Sequence, residues 1–175
     1  MLSERMQRAL NEQLNAELYS SYLYLSMEAY FESEELPGFA SWMRSQAQEE
    51  LIHGMMFFDH INSRGGKVSL RRIETPEGEW SSPLSVFQQV RSHEEKVTGL
   101  IHDLVSLATE EKDYATIPLL QWFVSEQIEE EETAGRVLAQ LKRVGDDQGM
   151  LYMLDRELST RPPKLTIVST TERGE

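Results

Sequence analysis

Four long stretches of the chain carry apolar residues at the spacing of one helix face, and each is interrupted near its middle by residue types that bind metals. The interruptions are Glu17, then Glu50 and His53, then Glu94, then Gln127 and Glu130. A buried carboxylate without a partner takes a proton or costs several kcal/mol. One charge per helix aimed at a common point therefore asks for a cation. Four carboxylates balance two divalent ions, and the imidazole adds a neutral ligand.

The first stretch runs from about Ser3, a suitable N-cap, to about Ser33, with Leu10, Leu14, Glu17, Leu18, Ser21, Tyr24 and Leu25 on one face. After a break at Leu36-Pro37-Gly38, the second carries Phe39, Met43, Gln46, Glu50, His53 and Phe57 and ends near Arg64 at Gly65-Gly66. The third, from about Leu84 to Glu111, has Phe87, Val90, Glu94, Val97, Ile101, Leu104 and Ala108 in strict three-four alternation. A short turn at Lys112-Asp113-Tyr114 leads to the fourth, about Ala115 to Val144, with Leu120, Phe123, Gln127, Glu130, Ala134, Val137 and Leu141. Pro118 is acceptable there because it lies in the first turn.

Lys67 to Pro83 has no helical period and contains Pro76, Gly78 and Pro83. A connection of this length, extended at roughly 3.3 Å per residue, spans about 50 Å, the length of a bundle. It lets the second and third helices run parallel, where a short turn would make them antiparallel. Gly149 to Arg161 reads as a short fifth helix, and Pro162 to Glu175 as a tail expected to be mobile. The expected fold is all-α: a four-helix up-down bundle with a long crossover between the second and third helices and a short fifth C-terminal helix, in one domain over residues 1–161.

Composition narrows the function. At 175 residues the chain is long enough for one sizeable core, and a net charge of -13 argues against sequence-independent binding of nucleic acid or of an anionic membrane. With no cysteine, thiolate metal sites, disulfides and cysteine nucleophiles are absent together, so any metal is held by oxygen and nitrogen. Neither a signal peptide nor a run of about 18 apolar residues is recognised, and a cytoplasmic protein is expected.

Glu50 and His53 have the Glu-x-x-His spacing of di-iron and di-manganese carboxylate bundles. The tetrapeptide is weak alone; its force comes from central register in an apolar seam, with single carboxylates at the same level on the first and third helices. On the fourth helix Gln127-x-x-Glu130 stands where a symmetric pattern would repeat Glu-x-x-His. One metal then receives a nitrogen ligand and the other mainly oxygens. The plainer alternative makes Glu17 and Glu94 solvated or salt-bridged and His53 a satisfied core histidine, which suits any one residue better than the whole set. Glu49, Glu126 and Glu129 form a second acidic set, read either as surface charge or as a third metal position or relay. Tyr24, on the Glu17 stripe, could hydrogen-bond a ligand or supply an electron, or simply pack; Trp122 is read as a core residue.

These residues closely resemble the non-haem bacterial and archaeal ferritins over about residues 3–161, in Leu14-Asn15-Ala16-Glu17, Gln48-Glu49-Glu50-Leu51-Ile52-His53 and Glu126-Gln127-Ile128-Glu129-Glu130-Glu131. The resemblance implies a first iron on Glu17, Glu50 and His53, a second on Glu50, Glu94 and Glu130 with Gln127 near the dioxygen side, a third site at Glu49, Glu126, Glu129 and Glu130, and a centre-proximal tyrosine at Tyr24. It implies a hollow shell of twenty-four subunits that oxidises Fe(II) with dioxygen or peroxide and stores ferric mineral. Haem-binding bacterioferritins are also similar, but carry a second Glu-x-x-His on the fourth helix and a haem-ligating Met after the second-helix Glu. Here Gln127-x-x-Glu130 and Leu51 occupy those places, which argues against haem. Two other functions compete. A rubrerythrin-type peroxidase would share the bundle, but its usual electron-relay domain needs cysteines. A DNA-protecting mini-ferritin cage would place metals between subunits and favour a basic tail, whereas this one ends Thr171-Glu172-Arg173-Gly174-Glu175.

Overall fold

A computed structural model of the chain describes residues 2–160, and the expected tail, Pro162 to Glu175, lies outside them. The described residues form five helices: α1 (Glu4–Ser33), α2 (Pro37–Ser63), α3 (Pro83–Glu110), α4 (Ile117–Val144) and α5 (Gln148–Ser159). Side-chain caps fix several ends. Ser3 Oγ accepts from Met6 N at 3.0 Å, Ser82 and Ser85 form a reciprocal capping box, and Asp147 Oδ1 accepts from Met150 N at 3.0 Å.

The expected break at Leu36-Pro37-Gly38 is shorter than its sequence suggested. Pro37 opens α2 and Gly38 lies within its first turn, because proline at the first helical position loses only a donor that was already unpaired. Leu36 offers no side-chain cap. Asp155 of α5 supplies it instead: its Oδ1 accepts from Gly38 N at 2.8 Å and Phe39 N at 3.0 Å. The approach is close enough that a Cβ on Gly38 would lie 1.7 Å from the Asp155 carbonyl oxygen, so only glycine fits.

Hydrogen bonds along the crossover settle the direction of the helices. Its start is tied to the beginning of α1, through Lys67 N donating to Gln7 Oε1 at 2.8 Å and Ser69 N to Asn11 Oδ1 at 2.6 Å. Its later part meets the far half of α1, where Ser26 Oγ donates to the Glu77 carbonyl at 2.7 Å. α3 therefore starts at the end of the bundle where α1 finishes, and it returns to place Glu110 2.7 Å from Arg5. The helices run up, down, down, up, with α2 and α3 parallel as the connection length implied.

The core divides into two apolar blocks. The upper one holds Phe31, Phe39, Trp42 and Phe87 with Leu154 and Leu158 of α5; the lower one holds Leu10, Leu14, Phe57, Ile101, Leu120 and Phe123. The expected inner residues of the second, third and fourth helices are all buried. On α1 the expected face is corrected. Leu25 is 47% exposed and Leu18 only partly buried, while Leu23, Met27 and Phe31 turn inward. At 3.6 residues per turn a stripe drifts around a helix of 30 residues, and α1 packs against both α2 and α3, which widens its buried arc.

Candidate metal centre

Between the two blocks lies a polar layer supplied by all four long helices. Glu17, Glu50, His53, Glu94, Gln127, Glu130 and Tyr24 are all buried in it, which meets the expectation that the mid-helix interruptions share one level. Register is set locally. Ser21 Oγ of α1 donates to the Ala47 carbonyl of α2 at 2.7 Å, and Gly54 of α2 faces Leu14 and Glu17. Glu17 is thereby brought level with Glu50 and His53.

Ligand atoms of Glu17, Glu50 and His53 lie within 4.8 Å of one another. His53 Nδ1 is 3.4 Å from Glu50 Oε2, and the ring is held edge-on by Trp122 and Phe123 at centroid distances of 5.4 and 5.5 Å. Atoms bound to one ion at about 2.1 Å are at most about 4.2 Å apart, and the 3.4 Å between His53 and Glu50 falls inside that limit. Trp122 is not the core residue that its sequence position suggested. It is 41% exposed, because the α4 face it occupies covers His53 rather than the interior of a block.

The other two carboxylates accept from neutral donors. Tyr24 donates its phenol proton to Glu94 Oε1, and the Gln127 amide lies 3.3 Å from Glu94 Oε2, from the Glu94 carbonyl and from Thr98 Oγ1. Gln46 Nε2 donates to Glu130 Oε2 at 2.7 Å, and Gln13 Nε2 to Glu17 Oε1 at 2.8 Å. Glu50, Glu94 and Glu130, the set implied for a second iron, do not make a group at the spacing of the first one. Gln13 had no role in the sequence reading and Gln46 only a place in the stripe. The available signal was a glutamine four residues before Glu17 and another four before Glu50, one turn away on the same face.

Electrostatics show what the layer lacks. Burial, then the neighbouring Glu50, lifts the Glu17 carboxyl well above the ordinary carboxylate range. Burial, then Glu94 and Glu130, does the same to Glu50. Glu94 is raised to about 7 by burial and by Glu130, against the hydrogen bonds from Tyr24 and Gln127. Burial and then Glu94 push the Tyr24 phenol upward as well. Neutral amides and a phenol satisfy oxygens without cancelling charge, so the layer attracts cations and accepts hard to borderline ions through oxygen and one nitrogen.

The second acidic set is only partly assembled. Glu49, His53 and Glu126 bring ligand atoms within 4.8 Å of one another, on the α2–α4 side of the layer. Glu129 is exposed and stands outside this group, and Glu130 points inward to Gln46.

Comparison with known proteins places this geometry. The family model of the ferritin-like domain matches residues 7–144. A bacterial non-heme ferritin of Bacteroides fragilis (strain 638R) is 45% identical over 161 residues, covering 92% of this chain and 100% of the relative. Another, of Staphylococcus aureus (strain MRSA252), is 40% identical, with 92% and 97% covered. Among solved structures, an open pore ferritin from the hyperthermophilic archaeon Archaeoglobus fulgidus superposes with a TM-score of 0.91 at 52% identity, covering 93% of this chain and 100% of that one. An engineered closed form of the same archaeal ferritin matches with a TM-score of 0.91 and 52% identity, over 93% and 99%.

Proposed function

The chain belongs to the ferritin family, and from that premise we propose that it takes up Fe(II), oxidises it at the buried layer and stores the ferric product inside a hollow shell built from many copies. The observation that carries this reading is the convergence of Glu17, Glu50 and His53, all buried, in a layer that also holds Glu94 and Glu130.

In this reading Glu17, Glu50 and His53 receive one Fe(II), and Glu50, Glu94 and Glu130 a second, with Glu50 shared. Binding displaces the protons that burial holds on Glu17, Glu50 and Glu94. As each iron gains a positive charge on oxidation, the carboxylates stabilise that charge in a site closed to water. Two Fe(II) supply two electrons, enough to take dioxygen to hydrogen peroxide or peroxide to water. Gln127, already directed at Glu94, orients that carboxylate on the oxidant side. Tyr24 keeps its phenol proton aimed at Glu94, so an electron taken from the phenol leaves with its proton accepted. Glu49 and Glu126, with Glu129 farther out, form a third iron position or relay toward the surface of the bundle.

The working unit is residues 1–161, and the assembly is a shell of twenty-four chains. Exposed Tyr22, Leu25, Leu51 and Met55 on α1 and α2, and Met150, Tyr152 and Met153 on α5, supply apolar surface for neighbouring copies. Among the described residues no helix is long and apolar enough to cross a membrane.

Aerobic Fe(II) loading at tens of irons per chain, followed by size-exclusion chromatography with protein and iron measured in each fraction, tests the proposal. Iron co-eluting with a large shell supports storage. Uptake stopping at two or three irons per chain, with rapid peroxide turnover, would replace storage by a peroxidase function.

A further inference from the structure

We propose that Gln13 is a positioning residue for the first metal position, holding Glu17 in the orientation that meets a cation; this rests on the reading of the layer as a metal centre. Glu17 is a buried carboxylate that shares its level with Glu50 and His53, and its Oε1 accepts from Gln13 Nε2 at 2.8 Å. The two residues are one turn apart on α1, so the bond is made within a single rigid helix. The amide takes one lone pair of Oε1, leaves the carboxylate's other lone pairs for an ion, and fixes the carboxylate plane before the ion arrives.

A neutral donor is required. A lysine or arginine at position 13 would satisfy Glu17 equally well, yet would cancel the charge that draws the cation. The same solution recurs across the layer, where Gln46 holds Glu130 and Gln127 holds Glu94. Gln13 differs from those two in its outer surroundings. It lines a groove of about 270 Å³ between α1 and α3, with Arg5, Glu12 and Asp103 around it. Its side chain therefore stands between this groove and Glu17.

Metal ligands held by such outer hydrogen bonds lose about 10- to 100-fold in metal affinity when the partner is removed. The test is Gln13→Met, which keeps length and packing but cannot donate, in the assembled full-length protein. Co(II) is titrated anaerobically, and its visible absorption and binding heat are followed. Expected are a 10- to 100-fold weaker first Co(II) equivalent with an altered absorption spectrum, a melting temperature close to that of the parent protein, and a rise in the Fe(II) concentration giving half-maximal oxidation. Gln13→Asn, whose amide is one methylene too short to reach Glu17, should weaken Co(II) equally and serves if Gln13→Met does not fold. Parent-like Co(II) affinity and spectrum in either folded variant would overturn the proposal and leave Gln13 as packing. Failure of the parent protein itself to take up Co(II) would instead overturn the metal-centre reading, so the two failures are distinguishable.

Discussion

The upper end of the bundle and its central layer both bury acidic side chains, but they treat them in opposite ways. At the upper end Glu28 accepts from Arg44 Nε at 2.7 Å, and Asp155 takes two backbone N–H groups at the start of α2. In the layer Glu17, Glu94 and Glu130 meet amides and a phenol, and each carboxylate's nearest charged neighbours include other carboxylates. The fold supplies a cation or a helix start to buried acids at the upper end, whereas the acids of the layer meet neutral donors and one another. On the proposed reading the upper acids are structural and a bound metal would stabilise the central ones.

The sharpest way to break this contrast is Glu50→Ala. If Glu50 is shared by both metal positions as proposed, the initial rate of Fe(II) oxidation should fall by more than the roughly 10- to 100-fold that loss of an outer partner of a ligand costs. The metal-free melting temperature should stay level or rise, since a carboxyl whose charged form is disfavoured by burial and by Glu94 and Glu130 has been removed. Near-parent stopped-flow rates in this variant would place the oxidation elsewhere.

A pH series on the metal-free protein is the next largest effect. Folding raises the Glu94 carboxyl from an ordinary 4.5 to about 7, so the native state binds more protons than the unfolded one between those values. Glu94's contribution to stability is fully present below about 4.5 and is lost as pH rises through about 7. At about 1.4 kcal/mol per unit the loss from Glu94 alone is about 3 kcal/mol, and saturating Zn(II) should remove the slope. Denaturant melts at several pH values check the sign; a melt that strengthened over this interval would contradict it.

Asp155→Ala probes the structural acids. Two α2 donors lose their acceptor, and a loss of about 2 kcal/mol is expected in chemical denaturation, the upper range for a helix cap. Iron oxidation per folded chain should be unchanged. The smallest effect is assigned to Gln127→Ala. Calorimetry should show metal binding largely intact, while the oxidation rate drops by about tenfold, or about 1.4 kcal/mol, as expected for loss of one oriented hydrogen bond. Loss of both metals would make Gln127 a structural keystone.

Legibility in the sequence followed packing. α3 and α4 each present one narrow seam, and every residue assigned to those seams is buried. α1 serves two neighbours, so a single stripe described it poorly, and Leu25 was placed inside although it faces outward. The crossover's role could be read from its length alone. The cap that Asp155 gives α2 could not, because it joins residues 117 positions apart and nothing local at Leu36 announces it. Within the layer, the ligand types and their register were visible as charges breaking apolar seams. Gln13 was marked only by its place one turn before Glu17, and its meaning appears when its amide is seen to meet Glu17. Glu49 and Glu126 were separable from Glu129 only by the turn of their helices toward His53.

The central claim is that the uncompensated layer is where iron binds. Crystals of the protein soaked anaerobically with Fe(II), with anomalous scattering recorded at the iron edge, address it directly. The account predicts two peaks per chain inside the bundle, one bounded by Glu17, Glu50 and His53 and one by Glu50, Glu94 and Glu130. Iron confined to surface carboxylates, with the buried layer empty, would contradict it.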